Sequence, residues 1–249
     1  MRLKDKRALV TGSTSGIGRA TAQALAREGA HVIVSGRDEA RGKEVVTAIR
    51  DQGGRADFVA ANLADAASTA ALAAEATRLL DGRIDILVNN AGTGKGGPTA
   101  EMTQEDFERI YAVNVRAPYF LTATIAPAMA RHGSGSVINL GSKTATFGSA
   151  HSSLYGSSKA ALELLTRCWA AEFGPQGVRV NTVSPGPTLT PMITSSAGLS
   201  TLERQAEDLP ARRLALPSEI ADAVVFLASQ ESAYIHGARI PLDGGRSAL

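Results

Sequence analysis

The chain has 249 residues, 44% of them hydrophobic and 20% charged, and this composition is typical of a globular domain rather than a disordered chain. Its formal net charge of +2 is too small to favour nucleic acid as a partner. No apolar run approaches the roughly 18 residues that a membrane span needs, and no signal peptide is recognisable. We therefore expect a soluble, cytoplasmic protein with no nucleic-acid or membrane partner.

Short β-rich runs alternate with longer helical patterns along the chain. The predicted strands are mostly continuous apolar runs, which is typical of a parallel sheet buried on both faces. They are Arg7–Thr11, His31–Ser35, Ala56–Ala60, Ile84–Asn89, Ser136–Leu140, Arg179–Ser184 and Ala238–Leu242. The predicted helices lie between them, at 17–28, 38–52, 65–81, 103–131, 154–174 and 217–229. This alternation predicts an α/β fold with a doubly wound, seven-stranded sheet in one domain over residues 1–249.

A glycine-rich turn lies between the first predicted strand and the first predicted helix. It contains Gly12, Gly16 and Gly18. Glycines let the backbone turn tightly and approach a ligand closely, and the following helix points its free N–H groups at the same space. We interpret the turn as a pyrophosphate site, with a G-x-x-x-G-x-G spacing that differs from the G-x-G-x-x-G dinucleotide fingerprint.

Tyr155 and Lys159 are four residues apart in a helical pattern, so both side chains lie on one helix face. A nearby ammonium favours the phenolate and lowers the pKa of a phenol below its usual value of about 10. Tyr155 is therefore a candidate proton donor and acceptor near neutral pH. Ser142 follows the fifth predicted strand, at the edge where open α/β sheets bind ligands.

This order of motifs resembles that of the classical short-chain dehydrogenase/reductase family, from about Leu3 to Gly245. The resemblance is carried by the Thr11–Gly18 turn, Asn89–Gly92, Asn114, Ser142, Tyr155 with Lys159, Pro185–Gly186 with Thr190, and Asp243–Gly245. It implies a Rossmann-type fold and an enzyme that interconverts a carbonyl and a secondary alcohol by hydride transfer with a nicotinamide cofactor.

The resemblance also implies a catalytic tetrad of Asn114, Ser142, Tyr155 and Lys159. In the family, the serine hydroxyl binds the substrate oxygen and the tyrosine exchanges a proton with it. The lysine holds the nicotinamide ribose and tunes the tyrosine, and the asparagine steadies a water molecule beside the lysine. No metal is expected, because Tyr155 and Ser142 handle the oxygen.

Cofactor contacts are implied in the same way. The glycine-rich turn would hold the diphosphate, while further groups would line the adenosine and flank the nicotinamide. The implied residues are Gly12, Ser13, Thr14, Ser15, Gly16, Ile17, Gly18, Ser35, Arg37, Asn62, Leu63, Asn89, Ala91, Gly92, Tyr155, Lys159, Pro185, Gly186, Thr188 and Thr190. Asn62 stands where many relatives have an aspartate facing the adenine amine, and its amide oxygen can accept the same hydrogen bond.

The end of the second predicted strand bears on the choice between NAD and NADP. An NAD-dependent enzyme usually has an acid there, which accepts a hydrogen bond from the ribose 2′-hydroxyl. Alignment puts Gly36 at this position, followed by Arg37, whose guanidinium can bind a 2′-phosphate. Counting from the glycine turn instead reaches Asp38, so NAD(H) is the alternative to the NADP(H) that we expect.

Several polar residues bear on the substrate. Lys95, Lys143 and His151 could bind an anionic or polyhydroxylated molecule. Alternatively, the lysines are solvated loop charges and His151 packs within its loop. Arg131 fits part of a basic patch for acyl carrier protein, but Gln176 stands where a second arginine is expected. We therefore expect a general carbonyl reductase or alcohol dehydrogenase, with 3-oxoacyl-(acyl-carrier-protein) reductase and a non-catalytic NADP sensor as alternatives.

Three expectations concern the rest of the chain. The Ser-, Thr-, Pro- and Arg-rich segment at about 190–216 is expected to form a substrate lid. The long apolar helices at 103–131 and 154–174 are expected to pair between subunits of a homotetramer, as in similar proteins. Cys168, the only cysteine, is expected to be a buried structural thiol on the second of these helices.

Overall fold

The computed structural model describes residues 1–191, 204 and 206–249. Within them, seven parallel strands form one sheet in the order β3-β2-β1-β4-β5-β6-β7. The strands are β1 (Arg7–Val10), β2 (His31–Gly36), β3 (Arg55–Ala60), β4 (Ile86–Asn89), β5 (Gly135–Leu140), β6 (Val178–Pro185) and β7 (Arg239–Leu242). The predicted doubly wound, seven-stranded sheet in a single domain is confirmed.

Helices cover both faces of this sheet. In the described residues they are α1 (Gly16–Arg27), α2 (Glu39–Asp51), α3 (Ala66–Leu79), α4 (Gln104–Tyr111), α5 (Ala117–Arg131), α6 (Ser153–Phe173) and α7 (Pro217–Ala228). One sequence prediction is wrong: the expected continuous α-helix at 103–131 is interrupted by a π-helical turn at Ala112–Arg116. The wider turn changes the hydrogen-bond spacing between α4 and α5.

The sheet is buried on both faces because successive strand residues point to opposite sides. Val10 belongs to a core shared with α1, α2 and α7, which includes Val224. Its neighbour Leu9 belongs to a second core shared with α3, α5 and α6, which includes Leu121 and Trp169. Two helical layers therefore hold the carboxyl ends of the strands at one fixed edge.

The strand order reverses between β1 and β4. From β1 the sheet continues outward through β2 and β3, and from β4 it continues through β5, β6 and β7. Val10 at the end of β1 pairs with Val88 near the end of β4. A ligand crevice is expected outside the carboxyl ends of the strands at such a reversal, and the glycine-rich turn and Asn89–Gly92 both lie there.

Cys168 is exposed, so the prediction of a buried structural thiol is wrong. The inward face of α6 is defined by Leu162, Thr166 and Trp169, which recur at helical spacing. Cys168 precedes Trp169 by one residue and therefore lies about 100° away around the helix axis. The apolar residues around Cys168 in the sequence did not show that its side chain points away from the core.

About half of the predicted lid at about 190–216, residues 192–203 and 205, lies outside the described residues. Thr188, which precedes these residues, forms an isolated β-bridge with Ala215, which follows them. The two ends of this segment are therefore close together. No helix in the described part of the chain is long and apolar enough to cross a membrane.

Candidate active site

The glycine-rich turn is packed too closely for larger side chains. Gly12 has a φ of +63°, and a Cβ atom there would lie 2.8 Å from the Cα of Ala91. A Cβ atom on Gly18 would collide with the carbonyl oxygen of Gly12. A Cβ atom on Gly16 would lie 3.2 Å from Cγ2 of Thr190. The turn, the segment after β4 and the segment after β6 therefore meet in one place.

Asn90, which the sequence analysis did not single out, fastens the turn. Its Nδ2 donates to the carbonyl oxygens of Thr11 at 2.8 Å and Gly12 at 3.0 Å. The Thr11 hydroxyl oxygen in turn accepts from the backbone N–H groups of Asn90 and Ala91, at 3.0 and 3.1 Å. The available sequence signal was its position directly after β4, beside the point where the strand order reverses.

Two predicted cofactor residues have side chains committed to the protein interior. Asn89 is 1% exposed, and its Nδ2 donates to Oδ1 of Asn139 at 2.8 Å. The hydroxyl of Ser13 donates to the carbonyl oxygen of Val10 at 2.7 Å and accepts from the backbone N–H of Ser35 at 2.9 Å. These side chains hold neighbouring strands together, so any cofactor contact of Asn89 or Ser13 would come from the backbone.

The end of β2 lies against the glycine-rich turn. A Cβ atom on Gly36 would lie 2.7 Å from Cγ2 of Thr14, so a carboxylate side chain would not fit there without a shift. Arg37 is exposed and forms no ion pair with a described residue. Asp38 caps α2 and accepts from the backbone N–H of Arg41 at 3.0 Å and from its Nε at 2.6 Å. These bonds lower the pKa of Asp38.

Further predicted cofactor residues lie around the same crevice. Ser15 is the N-cap of α1 in an extended conformation, and its side chain makes no capping hydrogen bond. Ile17 is partly buried against the core. Beyond β3, Asn62 is exposed and its Oδ1 accepts from the backbone N–H of Ala64 at 3.3 Å, while Leu63 is buried. Ser15 and Asn62 therefore present polar atoms at the crevice.

The segment after β6 closes the other side of the crevice. Gly186 donates its backbone N–H to the carbonyl oxygen of Leu242 at 2.9 Å. A Cβ atom there would lie 2.6 Å from the Cα of Asp243, so the Pro185–Gly186 turn depends on glycine. The Thr188 hydroxyl is buried and donates to the Gly186 carbonyl oxygen at 3.1 Å.

Lys159 is buried at the base of the candidate site, with 3% of its surface exposed. Its Nζ donates to the carbonyl oxygen of Leu140 at 2.7 Å and lies 5.9 Å from the centre of the Tyr155 ring. Burial lowers the pKa of Lys159 from 10.5 to about 8, and the charge of Glu163 opposes this shift. The spacing prediction that Lys159 approaches Tyr155 is consistent with this geometry.

The pKa of Tyr155 is raised by burial, while the nearby hydroxyl of Ser142 acts in the opposite direction. This differs from the sequence expectation that a nearby ammonium lowers it. The physical reason is that removing the phenol from water disfavours the phenolate. In the folded chain Tyr155 is therefore protonated near neutral pH.

Ser142 directly follows β5 and caps a short 3₁₀ turn at Lys143–Ala145. Its hydroxyl oxygen accepts from the hydroxyl of Thr144 at 2.9 Å and from the Thr144 backbone N–H at 3.3 Å. It is 8% exposed. Because its oxygen accepts these bonds, the hydroxyl hydrogen can be donated to another acceptor.

Asn114 lies on the π-helical turn and is completely buried. Its Oδ1 accepts from the Thr93 backbone N–H at 2.9 Å, and its Nδ2 donates to the Thr93 carbonyl oxygen and the Ser158 hydroxyl, each at 2.9 Å. A Cβ atom on Gly92 would lie 3.3 Å from Nζ of Lys159 and 3.7 Å from Oδ1 of Asn114. Glycine therefore keeps a small space open between these two polar groups.

The three candidate substrate residues differ in their surroundings. Nζ of Lys95 lies 2.6 Å from Oδ2 of Asp106 and holds the pKa of that carboxyl well below its usual range. His151 is exposed with a φ of +66°, and its carbonyl oxygen accepts from the Gly97 backbone N–H at 3.0 Å. Lys95 therefore ties its loop to α4, and the backbone of His151 holds two loops together.

Lys143 is half-buried next to Ser142, and its side chain forms no hydrogen bond or ion pair with a described residue, while its carbonyl oxygen accepts from the Thr146 hydroxyl at 3.0 Å. Burial lowers the pKa of Lys143, and the positive charge of Arg246 lowers it further, while Asp243 opposes both effects. The carboxylate of Asp243 already accepts from the backbone N–H groups of Gly245 at 3.1 Å and Ser247 at 3.0 Å. Lys143 therefore has one cation, Arg246, and one anion, Asp243, as its charged neighbours.

These residues fit a dinucleotide. The glycine-rich turn has no room for Cβ atoms at Gly12 or Gly18, and it leads into the N-terminus of α1, where backbone donors favour a diphosphate. Exposed Arg37 follows Gly36 at the end of β2, on the other side of this turn. The space beside Gly92 and Lys159 lies at the other end, next to the tyrosine.

Comparisons with known proteins agree with this geometry. A family model described as enoyl-(acyl carrier protein) reductase matches residues 12–247. The 2,5-dichloro-2,5-cyclohexadiene-1,4-diol dehydrogenase LinX of Sphingobium indicum is 38% identical over 246 residues, covering 99% of this chain and 98% of the relative. A solved short-chain dehydrogenase/reductase family protein has a TM-score of 0.92 at 46% identity, with both chains fully covered.

A second solved structure was assigned as an NAD(P)-dependent gluconate 5-dehydrogenase from Beutenbergia cavernae and contains NADP at low occupancy. It has a TM-score of 0.95 at 37% identity, covering 99% of this chain and 98% of that one. The chain therefore belongs to the classical short-chain dehydrogenase/reductase family. It is an enzyme of this family, acting on a CH–OH or C=O group with a nicotinamide cofactor.

Proposed function

We propose that this enzyme is an NADP(H)-dependent oxidoreductase that interconverts a carbonyl and a secondary alcohol, with Tyr155 as general acid and base. The observation that carries the proposal is the placement of Lys159 beside Tyr155, with Nζ 5.9 Å from the ring centre, and of Ser142 near enough to the phenol to influence its pKa. All three lie where β5 and α6 meet, outside the carboxyl edge of the sheet. A proton donor, a hydroxyl and a cation therefore border the same small space.

Each side chain has a separate task in carbonyl reduction. The bound nicotinamide supplies hydride to the carbonyl carbon. The Ser142 hydroxyl donates a hydrogen bond to the carbonyl oxygen. Tyr155 transfers its phenolic proton to that oxygen as negative charge develops on it. Burial raises the pKa of Tyr155, so the phenol carries the proton that this step consumes. Lys159 provides positive charge beside the resulting phenolate.

Asn114 lies near Lys159, on the other side of Gly92. Its two amide atoms are held by Thr93 and Ser158, so its orientation is fixed. In the proposed mechanism it steadies a water molecule that returns protons from solvent to Lys159. The opening beside Gly92 is where such a molecule would fit.

The proposed preference for NADP(H) rests on the end of β2. Gly36 leaves no carboxylate at the position where an acid would accept from a ribose 2′-hydroxyl. The carboxylate of Asp38, the alternative acid, already caps the N-terminus of α2 and accepts a hydrogen bond from Nε of Arg41. Arg37 is exposed beside the crevice and offers its guanidinium to a 2′-phosphate.

The cofactor proposal predicts a selective effect of Arg37→Ala. We expect the Kd for NADPH to rise by roughly ten- to a hundredfold, because one charge-assisted contact contributes about 1.5–3 kcal/mol. The Kd for NADH should change little. Fluorescence titration with each nucleotide measures both values. Arg27→Ala, an exposed arginine at the far end of α1, is the control, and an unchanged NADPH affinity in Arg37→Ala would contradict the assignment.

We propose a polar substrate with an anionic or hydroxyl group beside its carbonyl. The ammonium of Lys143, which follows Ser142, forms no ion pair with a described residue, whereas that of Lys95 is paired with Asp106. The names of the similar diol and gluconate dehydrogenases point in the same direction. Oxoacyl reduction is the second candidate, because the matched family model is described by an acyl-carrier-protein activity.

The decisive experiment follows the loss of reduced nicotinamide absorbance with NADPH and NADH. The panel contains neutral ketones, diketones, keto-sugars, keto-sugar acids and a 3-oxoacyl thioester. We expect turnover with NADPH, fastest on a polar or acidic ketone, and a loss of about 10³-fold or more in Tyr155→Phe. Preferred turnover of the thioester would favour oxoacyl reduction. NADPH binding without turnover of any compound would favour the cofactor-sensing alternative.

A further inference from the structure

Glu163 lies one helical turn beyond Lys159 on α6, so their side chains share one face of the helix. Its side chain is 12% exposed. A Cβ atom on Gly141, the residue before Ser142, would lie 2.9 Å from Oε1 of Glu163. Glycine at this position therefore allows the carboxylate to approach the backbone that carries Ser142.

Two neighbouring strands hold this carboxylate. The hydroxyl of Ser184 on β6 donates to Oε1 of Glu163 at 2.7 Å. Nε of Arg239 on β7 donates to the same oxygen at 3.2 Å. The carboxylate is therefore fixed between α6 and the sheet, below the candidate active site.

The contact with Arg239 is a single hydrogen bond rather than a paired one. Nη2 of Arg239 is buried and has no hydrogen-bond partner among the described residues. A two-pronged arginine–carboxylate contact is the strong form of this interaction, and it is absent between these two described side chains. Glu163 therefore makes a single-pronged contact with Arg239, and its charge also favours the charged form of Lys159, one helical turn away.

We propose that Glu163 is a positioning residue for the catalytic lysine: held by Ser184 and Arg239, it keeps Lys159 in its charged form beneath Tyr155. This inference rests on the proposed role of Lys159. The titratable groups facing Lys159 support it: Tyr155 and Glu163 lie on its own helix, and of these two Glu163 carries the charge that acts on it. From the packed strands β5 and β6, Lys159 meets the carbonyl oxygen of Leu140 rather than a second carboxylate.

The test measures the titration of Lys159 directly, by ¹³C NMR of protein labelled at the lysine side chains, with Lys159→Met used to assign its signal. Glu163→Gln keeps the shape and an acceptor for Ser184 but removes the charge. We expect Glu163→Gln to lower the pH at the midpoint of the Lys159 titration by roughly half a pH unit or more. Glu172→Gln, the same change at an exposed position of α6, should leave the midpoint unchanged.

Arg239→Met supplies a test of opposite sign. Removing the guanidinium takes away a positive charge and leaves the charge of Glu163 less neutralised. The midpoint of Lys159 should therefore rise, whereas a merely structural disturbance would not move the two variants in opposite directions. An unchanged midpoint in folded Glu163→Gln overturns the inference.

This measurement needs no substrate, so its outcome is separate from that of the proposed function. If turnover is found in the wild-type enzyme, the decline of kcat/KM at high pH should move to lower pH in Glu163→Gln and to higher pH in Arg239→Met. These kinetic midpoints belong to the coupled tyrosine–lysine pair. Loss of activity in Tyr155→Phe with an unchanged Lys159 midpoint in Glu163→Gln would support the proposed function and reject the role of Glu163.

Discussion

Lys159 has an ammonium group in the protein interior with a backbone carbonyl as its hydrogen-bond acceptor. Burying this charge is unfavourable for the folded protein, because water solvates an ammonium better than one carbonyl does. The same burial places a cation where a phenolate would form. At this residue, stability and the proposed chemistry therefore have opposite requirements.

We predict that Lys159→Met is more stable than the wild type at pH 7, by about 3 kcal/mol. The folded-state pKa of about 8 lies below the ordinary value of 10.5. The unfolded wild type therefore binds more protons than the folded wild type between these pH values, and its stability rises with pH there. The advantage of the variant should narrow between pH 8 and 10.5.

Denaturant unfolding at pH 7 and pH 10 checks this prediction. Lys4→Met, at an exposed position, is the control and should show little change at either pH. A Lys159→Met variant that is less stable than the wild type at pH 7 would show that the hydrogen bond to Leu140 outweighs the cost of burying the charge.

Sequence spacing was informative for Tyr155 and Lys159 because four residues on a helix always return to one face. It was less informative about the pKa of Tyr155. The sign of that shift depends on how burial compares with the field of Lys159, and burial is a property of the folded chain. The same limit applies to Asn90, whose role depends on a turn almost 80 residues earlier in the chain.

The glycine-rich turn and the π-helical turn show how elements position the site. The turn needs glycine because β1, α1 and the segment after β4 approach one another closely. The π-helical turn places Asn114 against Thr93 and Ser158. Glycine spacing made the first element recognisable in the sequence. The second was missed because one wider turn hardly disturbs the apolar pattern of a long helix.

We predict that Gly18→Ala disrupts cofactor binding. The added methyl group would collide with the Gly12 carbonyl oxygen and with the Asn90 amide. Accommodating it should cost about 1–3 kcal/mol, lower the melting temperature and weaken NADPH binding more than tenfold. Gly148→Ala, where a Cβ atom meets nothing within 4 Å, is the matched control. Calorimetry and nucleotide titration of both variants distinguish a local collision from a general intolerance of alanine.

On the scale of the whole molecule, α4, α5 and α6 carry large apolar side chains that one domain leaves uncovered. Phe107 is 47% exposed, Phe120 is 54% exposed and Leu164 is 55% exposed. Tyr119 is also exposed, and its ring centre lies 6.0 Å from that of Trp169. Such surfaces commonly mark protein interfaces, and we propose that these helices pair between subunits of a homotetramer.

We predict that Phe120→Lys lowers the molar mass in solution, because a charge at a desolvated contact is unfavourable. Light scattering after size-exclusion chromatography measures the change. Tyr234→Lys, at a fully exposed aromatic residue outside these three helices, is the matched control. A wild-type protein that already elutes as a monomer would refute the assembly.

Composition and strand periodicity were sufficient to predict the sheet and its seven strands, because a parallel sheet buried on both faces requires continuous apolar runs. They could not distinguish apolar residues of the core from apolar residues of an interface. Leu164 and Trp169 are both apolar and five positions apart on α6, yet Leu164 is exposed and Trp169 is buried. Only the packing of α6 against the sheet separates their roles.

The exposed Cys168 gives this enzyme a built-in chemical reporter. It is the sole thiol of the chain, and it lies next to Trp169 on a helix that we propose to be covered by a neighbouring subunit. A maleimide dye would attach at one place without any engineered cysteine. If the helices pair as proposed, labelling should be slow in concentrated protein and accelerate on dilution. The rate at which one sulfur atom reacts would then measure how often the assembly comes apart.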